Sequence, residues 1–468
     1  MEEHIGSLYR YQQDSSLDAY NNGYEDNFEE TFHDVWENCV VESIQSIYSS
    51  VNRLILLNAA FGLLTSLELP ETLFHSLSSS FGIYMLLTTV QSNTGLIVVF
   101  ASVLLSYAIV KYYRFSILRG HFEQDISNLK NRIHVPVVQY ALIATFLLFQ
   151  YVLLEKETWL EIRGIMMVFS MKLISTVADL PLQSFPNFIQ YCGYMFCGGN
   201  ILFGPWISFE HYLMQAKFPT EKNIYWICGV IKSALLCLFF LTVSNCWSNY
   251  LISENAVILL KSYKEALSFR AGHYFICYLS ETTMLAAGWK NLNFHFDEKY
   301  WHFPITDFMS IEFPTSLALV VVNWNKPMHE FLKKYVYRKW IRAGRFLAFL
   351  LTFIISSLFH GFELKVSTVL ISLGIFSYLQ MSLRDYIAQA FDICVRVRSC
   401  NSCHHQIKRD NIVCRLCLFV FSVFSVFHLI FVGVIMDEST DQVGIYKKWQ
   451  DLNFFSLWIM FINFIIIK

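Results

Sequence analysis

Charged residues are scarce in this sequence of 468 residues. They make up 15% of the chain and hydrophobic residues 55%, whereas soluble proteins average about 25% and about 45–50%. Glycine and proline are also few, with 19 and 9 residues, which excludes collagen-like and low-complexity chains. The 12 cysteines are too sparse for a small secreted disulfide scaffold. A water-soluble fold could not bury this much apolar surface, so the sequence predicts a membrane protein.

Basic residues are nearly absent from the first fifty positions. These positions hold eleven acids, and Arg10 is their single base. We predict that residues 1–50 form an acidic polar N-terminal tail, partly ordered, and that residues 51–468 form one transmembrane domain. An acidic aromatic segment of this kind is more often a solvated arm than a binding site, and we interpret it as such.

Apolar runs follow one another through the rest of the chain. Spanning a bilayer takes about 20 residues, and several runs are shorter, which indicates tilted, interior or re-entrant helices. The predicted fold class is therefore an all-α polytopic membrane bundle of roughly nine to eleven transmembrane helices. The clearest runs cover residues 95–110, 136–154, 225–243, 346–359, 364–378, 412–434 and 454–467.

Lysine and arginine concentrate in three connections between these runs, at residues 111–132, 326–345 and 384–415. Because basic residues flank spans on the cytosolic side, we place all three clusters in the cytosol. The single base of the tail fits a non-cytosolic N-terminus. The chain shows no repeat with a period of 20–50 residues, so we expect neither a solenoid nor a repeat-built transporter.

Two polar residues interrupt apolar surroundings. His360 follows the run that ends in Ser356-Ser357-Leu358-Phe359, and an ionisable group at membrane depth suggests a functional site. The alternative is a neutral histidine bonded to a neighbouring helix. Asn325 ends an apolar stretch just before Pro327, where an amide could donate to a developing oxyanion. The alternative is an asparagine that caps a helix.

A buried histidine after a run of small residues, with Trp324-Asn325 upstream, resembles the membrane-bound O-acyltransferase family. Further segments are similar to those of the members that acylate Wnt proteins. They match in order between about residues 159 and 362, and their combination is specific although each alone is weak. The segments are Met171-Lys172, Phe203-Gly204-Pro205-Trp206-Ile207-Ser208-Phe209, Tyr274-Phe275, Leu279-Ser280-Glu281, Trp324-Asn325, Tyr335-Val336 and Leu358 to Phe362.

This resemblance implies an enzyme of the endoplasmic reticulum membrane that transfers palmitoleate from palmitoleoyl-CoA to a serine of Wnt proteins. His360 would take the serine proton as general base, and Asn325 would hold the thioester carbonyl. Thiolate is a good leaving group, so we expect direct transfer without an acyl-enzyme. No cofactor or metal is implied, since acyl-CoA is a co-substrate. Partners are the Wnt acceptor, the acyl-CoA and membrane lipid, with no nucleic acid.

Six further residues are candidates for substrate binding. Arg338 belongs to the basic cluster and could attract the anionic CoA head, although ordinary flanking charge would explain it too. Tyr335 is a candidate lining of the CoA path. Ser280, Glu281 and Trp206 could line the reaction chamber or lock helices together by hydrogen bonds, and for Ser280 and Trp206 we favour the locking role. The sixth candidate, Trp324, precedes Asn325.

Two alternative functions remain open at this stage, one within the same family and one from a different class. One is an acyltransferase of the same family acting on a lysophospholipid or another secreted peptide. The other is a non-catalytic membrane protein that binds Wnt or lipid, against which the presence of both Asn325 and His360 argues. The cysteines at positions 400, 403, 414 and 417 have a spacing that could bind zinc, but we favour lipid-modified or free thiols, because the second pair lies at the start of an apolar run.

Overall fold

A computed structural model of the chain describes residues 31–120, 153–180, 185–218, 222–253, 255–291, 301–361, 363–398, 404–437 and 440–468. These residues are helical almost throughout. One isolated bridge between Ile393 and Ile407 is the single β feature in the described ranges. The predicted all-α class is therefore confirmed.

Seventeen helices carry the argument that follows. The first eight are α1 (Phe32–Leu64), α2 (Glu71–Thr89), α3 (Asn93–Gly120), α4 (Lys156–Asp179), α5 (Phe188–Met195), α6 (Phe209–Lys217), α7 (Ile224–Leu251) and α8 (Ile258–Ala286). The others are α9 (Phe308–Glu312), α10 (Leu317–Trp324), α11 (Lys326–Leu332), α12 (Arg345–Phe359), α13 (Leu364–Ala390), α14 (Ile412–Gly433), α15 (Thr440–Val443), α16 (Ile445–Asp451) and α17 (Phe455–Ile467).

Five helices of the described chain are long and apolar enough to cross a membrane, namely α1, α3, α7, α13 and α14. A sixth span is possible if α16 and α17, bent by 79° at their junction, count as one. Most of the predicted run 136–154 lies outside the described residues, so the total of nine to eleven spans stays a prediction. The runs predicted at 225–243, 346–359, 364–378 and 412–434 each fall within one helix, extending at most one residue past it, since consecutive apolar residues in lipid must satisfy their backbone internally.

The helix α1 passes through the predicted boundary at residue 50 without interruption. Thr31 caps its amino end, where its hydroxyl accepts from the Asp34 amide and the Asp34 carboxylate accepts in return. A disulfide between Cys39 and Cys246 ties α1 to α7. The helix therefore includes the last part of the predicted tail, whereas residues 1–30 of that tail lie outside the described residues. The division of the chain at residue 50 stays a prediction.

Long-range contacts show which helix ends share a side of the bundle. Lys365 at the start of α13 donates to the carbonyl of Asp437 beyond α14 (3.3 Å). Lys448 pairs with Asp437 (3.2 Å) and with Glu265 near the start of α8 (2.8 Å). The disulfide lies on this side too, because Ser244 and α8 are hydrogen-bonded just inside it. We call this side the disulfide side.

Residues of the basic clusters lie at helix ends on the opposite side of the bundle. Arg114 near the end of α3 donates to the carbonyl of Val177 in α4 (3.2 Å). Lys334 pairs with Asp179 at the end of α4 (2.8 Å). Arg345 begins α12 and Arg396 follows α13, so both lie at the ends remote from the 360–363 turn. We call this the basic side. Residues from all three basic clusters of the sequence meet there.

Candidate active site

A cavity of about 1620 Å³ runs through the middle of the bundle. Pockets for drug-sized ligands are usually about 300–1,000 Å³, so this cavity has room for a longer molecule. Residues of both the basic side and the disulfide side line it, as do apolar side chains between them. The cavity therefore connects the two sides through a largely apolar middle.

His360 lines this cavity at the carboxyl end of α12. The helix has 15 residues and is about 22 Å long, shorter than the hydrocarbon core of about 30 Å. The imidazole is therefore delivered to a depth inside the membrane. Gly361 has φ +85°, a conformation open to glycine that turns the chain out of the helix directly after His360. Arg163 holds the turn by donating to the His360 carbonyl (3.5 Å) and pairing with Glu363 (3.1 Å).

Asn325 lies where α10 ends and α11 begins, in an extended conformation with φ −148° and ψ 94°. Its Oδ1 accepts from the amide of Met328 (3.0 Å) and caps α11. Pro327 follows at the start of α11, where a proline is tolerated. Because Oδ1 is used by the cap, the amide offers its Nδ2–H donors to the cavity that Asn325 lines. The capping role considered for Asn325 is therefore observed, and the role as a donor stays a prediction that its place in the cavity lining allows.

Two of the candidate tryptophans line the same cavity. Trp324 stacks on the imidazole of His273, with ring centroids 4.3 Å apart and an interplanar angle of 12°. Trp206 donates from Nε1 to the hydroxyl of Ser175 (3.1 Å) and packs edge-on against Phe331. The structure thus brings His360, Asn325, Trp324 and Trp206 to one chamber.

Arg338 lies at the basic mouth of the cavity. It shares this mouth with Lys333, Arg345, Arg396 and Arg398. The loop that carries the last two is held by His405, which donates to Asp392 (2.9 Å) and keeps the pKa of that carboxyl below its usual value. Most charges at this mouth are positive, which suits an anionic ligand.

The mouth on the disulfide side is different in character. Asparagines and charges of both signs line it: Asn38, Glu42, Asn245, Asn249, Lys261, Lys264, Glu265 and Asp437. Cys39 lies beside them. This mixture of neutral amides and opposed charges suits a polypeptide rather than a polyanion.

Three of the predicted substrate-binding residues do not reach the cavity. Tyr335 is buried behind Trp206, with its hydroxyl donating to Asp179 (2.5 Å). Ser280 donates to the carbonyl of Gly204 (2.7 Å), which locks α8 to the segment that carries Trp206. Glu281 pairs with His302 (3.4 Å). Each of the three acts as a structural contact behind the cavity wall, because its polar group is already engaged there.

Three features of the site carried no signal that the sequence analysis used. His273 and Arg163 both line the cavity, but neither belongs to the segments on which the family resemblance rests. Cys39 and Cys246 are 207 residues apart, and spacing alone cannot pair cysteines at that distance.

No group of three or more His, Cys, Asp or Glu side chains in the described part of the chain could hold a metal ion. Cys400 and Cys403, half of the spacing that could bind zinc, lie outside the described residues. Cys414 donates from Sγ to the carbonyl of Cys394 (3.2 Å), which packs the start of α14 against the preceding loop.

Comparisons with known proteins agree with this geometry. The family model of MBOAT, the membrane-bound O-acyltransferase family, matches residues 181–392. The chain is 35% identical over 339 residues to the protein-serine O-palmitoleoyltransferase porcupine of Anopheles gambiae, a match that covers 65% of this chain and 68% of that protein. It is 29% identical over 465 residues to the human protein of the same name, covering 92% and 96%. A lysophospholipid acyltransferase of Schizosaccharomyces pombe is 24% identical, covering 64% of each chain.

The chain belongs to the membrane-bound O-acyltransferase family, and it is a multi-pass membrane acyltransferase. Within that family it is of the porcupine type, as its mosquito and human relatives indicate. The family predicted from Asn325 and His360 is thereby confirmed.

Proposed function

We propose that this chain transfers a palmitoleoyl group from palmitoleoyl-CoA to a serine hydroxyl of a Wnt protein, in the membrane of the endoplasmic reticulum. The observation that carries the proposal is the cavity, which is lined by both His360 and Asn325 and has chemically different residues at its two ends. The names of the mosquito and human relatives supply the reaction.

The chemistry at the centre needs two groups. His360 accepts the serine proton as the serine oxygen attacks the thioester carbon. Negative charge then develops on the carbonyl oxygen, where the Nδ2–H group of Asn325 stabilises it. The carbon–sulfur bond breaks, CoA leaves as thiolate, and the proton held by His360 is available to it. An ester forms at serine, and no covalent enzyme intermediate is required.

The two mouths separate the substrates. Lys333, Arg338 and Arg345 at the basic side suit the phosphates of CoA, which is anionic. The basic clusters also support a cytosolic position for that side, where acyl-CoA is available. The disulfide between Cys39 and Cys246 supports a lumenal position for the other mouth, because disulfides persist in oxidising compartments.

The test is acyl transfer by the purified full chain in lipid vesicles, with palmitoleoyl-CoA as donor and a Wnt-derived serine peptide as acceptor. We expect one acyl group per peptide by intact mass, none on the same peptide with serine replaced by alanine, and almost none with the His360→Ala chain. A general base contributes about 10²–10⁴-fold to the rate, so the transfer rate of the His360→Ala chain should fall by a factor of this size.

A lysophospholipid belongs in a parallel reaction, because two lysophospholipid acyltransferases are among the relatives. Acylation of the lysolipid with an untouched peptide would refute the proposal in favour of lipid remodelling. His404→Ala, an exposed histidine on the loop after α13, is the matched control and should transfer at the normal rate.

A further inference from the structure

His273 is a second imidazole in the cavity, on α8 and opposite the break between α10 and α11. Its Nε2 lies 3.0 Å from the carbonyl oxygen of Trp324. A carbonyl can only accept, so Nε2 carries the hydrogen and donates it. The Sγ of Cys277 lies 3.3 Å from the same nitrogen and is a second, weaker acceptor for this hydrogen. The tautomer of His273 is therefore set by the backbone of the residue before Asn325.

The Trp324 carbonyl has a specific need for this donor. It is the last carbonyl of α10, and the last carbonyls of a helix have no intrahelical partner. Asn325 is extended and opens a new helix, so the chain beyond the break cannot supply the missing donor. A part-buried acceptor left without a donor is unfavourable, and His273 supplies the donor to this carbonyl from a different helix.

Asn323 and Lys326, which flank Trp324 and Asn325, are hydrogen-bonded by residues 305–307. The carbonyl of Asn323 accepts from the amide of Asp307 and from the hydroxyl of Thr306, both at 3.1 Å. The amide of Lys326 donates to the carbonyl of Ile305 (2.8 Å). These contacts come from the segment before α9, and they fix the break on one side. His273 is the contact from α8 that fixes it on the cavity side.

We propose that His273 is a positioning residue for the acyl-transfer reaction, which holds the Trp324 carbonyl and thereby sets the direction of the Asn325 amide in the cavity. It acts through the backbone of the break and exchanges no proton with the substrates. The stacking of the His273 ring on the Trp324 ring adds contact area between the two side chains. The hydrogen bond from His273 is what orients the Trp324 carbonyl. The inference rests on the proposed function only where it speaks of transfer rate.

The test separates the donor from the ring. His273→Phe keeps a ring to stack on Trp324 and removes the donor, whereas His273→Gln loses the ring and places an amide N–H at a similar reach. Hydrogen exchange is followed on the detergent-solubilised full chain, in peptides covering residues 318–332. We expect about tenfold faster exchange at the Met328 amide, the donor to the Asn325 cap, in the Phe variant, and normal exchange in the Gln variant.

Transfer kinetics give the second measurement. The Phe variant should lose about tenfold in kcat with the KM for acyl-CoA unchanged, and the Gln variant should recover most of it. The pH dependence of kcat should be the same in the Gln variant as in the original chain. Normal exchange and kcat in the Phe variant would overturn the proposal, and so would equal losses in both variants or a shifted pH profile in the Gln variant. The exchange result is informative even if the serine peptide is not the acceptor.

Discussion

The proposed mechanism gives Asn325 two tasks, one for each polar atom of its side chain. Its Oδ1 caps α11, and its Nδ2–H is the proposed donor into the cavity that Asn325 lines. A substitution that keeps one atom and changes the other can therefore separate stability from catalysis, which a truncation to alanine cannot do.

Asn325→Asp is that substitution. Aspartate caps helices about as well as asparagine, so the thermal stability of the chain should stay unchanged. The new carboxylate cannot donate to a developing oxyanion, and the loss of one such donor typically costs about 10²–10³ in kcat. Single-turnover transfer from palmitoleoyl-CoA measures the loss.

Asn187→Asp is the control for this experiment. Asn187 caps α5 in the same way, accepting from the Gln190 amide (2.9 Å), and it lies outside the cavity lining. It should leave both stability and rate unchanged. A normal rate in Asn325→Asp would limit Asn325 to its capping role.

At the scale of single elements, Lys172 determines how α4 meets α5. This lysine is fully buried. Its Nζ donates to the carbonyls of Tyr194 (2.8 Å) and Met195 (3.2 Å) at the end of α5, and to Oδ1 of Asn200 (2.8 Å). Asn200 in turn donates to the carbonyl of Pro205, next to Trp206. The lysine thus supports one wall of the cavity from behind.

Lys172→Met should destabilise the chain by about 1–3 kcal/mol, because two helix-end carbonyls would be left buried and unpaired. Thermal unfolding in detergent, followed by circular dichroism, measures the shift. Lys217→Met, an exposed lysine at the end of α6, is the matched control. If both variants unfold at the same temperature as the original chain, Lys172 makes no net contribution to stability.

The elements themselves were largely accessible to sequence reasoning. The apolar runs at 225–243 and 412–434 coincide with α7 and α14, because lipid forces a long apolar run into a helix. The same logic exposed His360, a polar residue in an apolar run. It could not place Tyr335 and Glu281, which lie outside the cavity lining, since a motif records that a residue belongs to the fold but not which way it faces. For Ser280 the favoured locking role agrees with its hydrogen bond to the Gly204 carbonyl.

Contacts between distant segments were beyond that reasoning. The hydrogen bond from His273 to Trp324 joins residues 51 apart, and no sequence pattern near either residue indicates that they are in contact. The same is true of the disulfide. Such pairs depend on how helices pack in three dimensions, and a periodicity within one helix carries no information on its neighbours.

At the scale of the whole molecule, the basic mouth should govern donor affinity without touching the chemistry. We expect the double variant Arg338→Ala, Arg345→Ala to raise the KM for palmitoleoyl-CoA about tenfold, with kcat nearly unchanged, as two charge-assisted contacts to phosphate are lost. The difference should shrink as salt is raised, because exposed charges are screened. Initial rates at varied donor concentration measure both constants.

Arg342→Ala is the control for charge alone. Arg342 is exposed in the same basic cluster, between Arg338 and Arg345, but it does not line the cavity. Its KM should stay unchanged. An equal rise in both sets of variants would mean that the net charge of the basic side, and not the mouth, attracts the donor.

The disulfide between Cys39 and Cys246 also indicates how each molecule was inserted into the membrane. In the proposed topology both thiols must be delivered to the oxidising compartment before they can join, and the second is synthesised 207 residues after the first. A copy inserted upside down would keep both in the reducing cytosol, with α1 and α7 untethered. The bond is thus a covalent mark of correct insertion, which a non-reducing gel would reveal without any assay of acyl transfer.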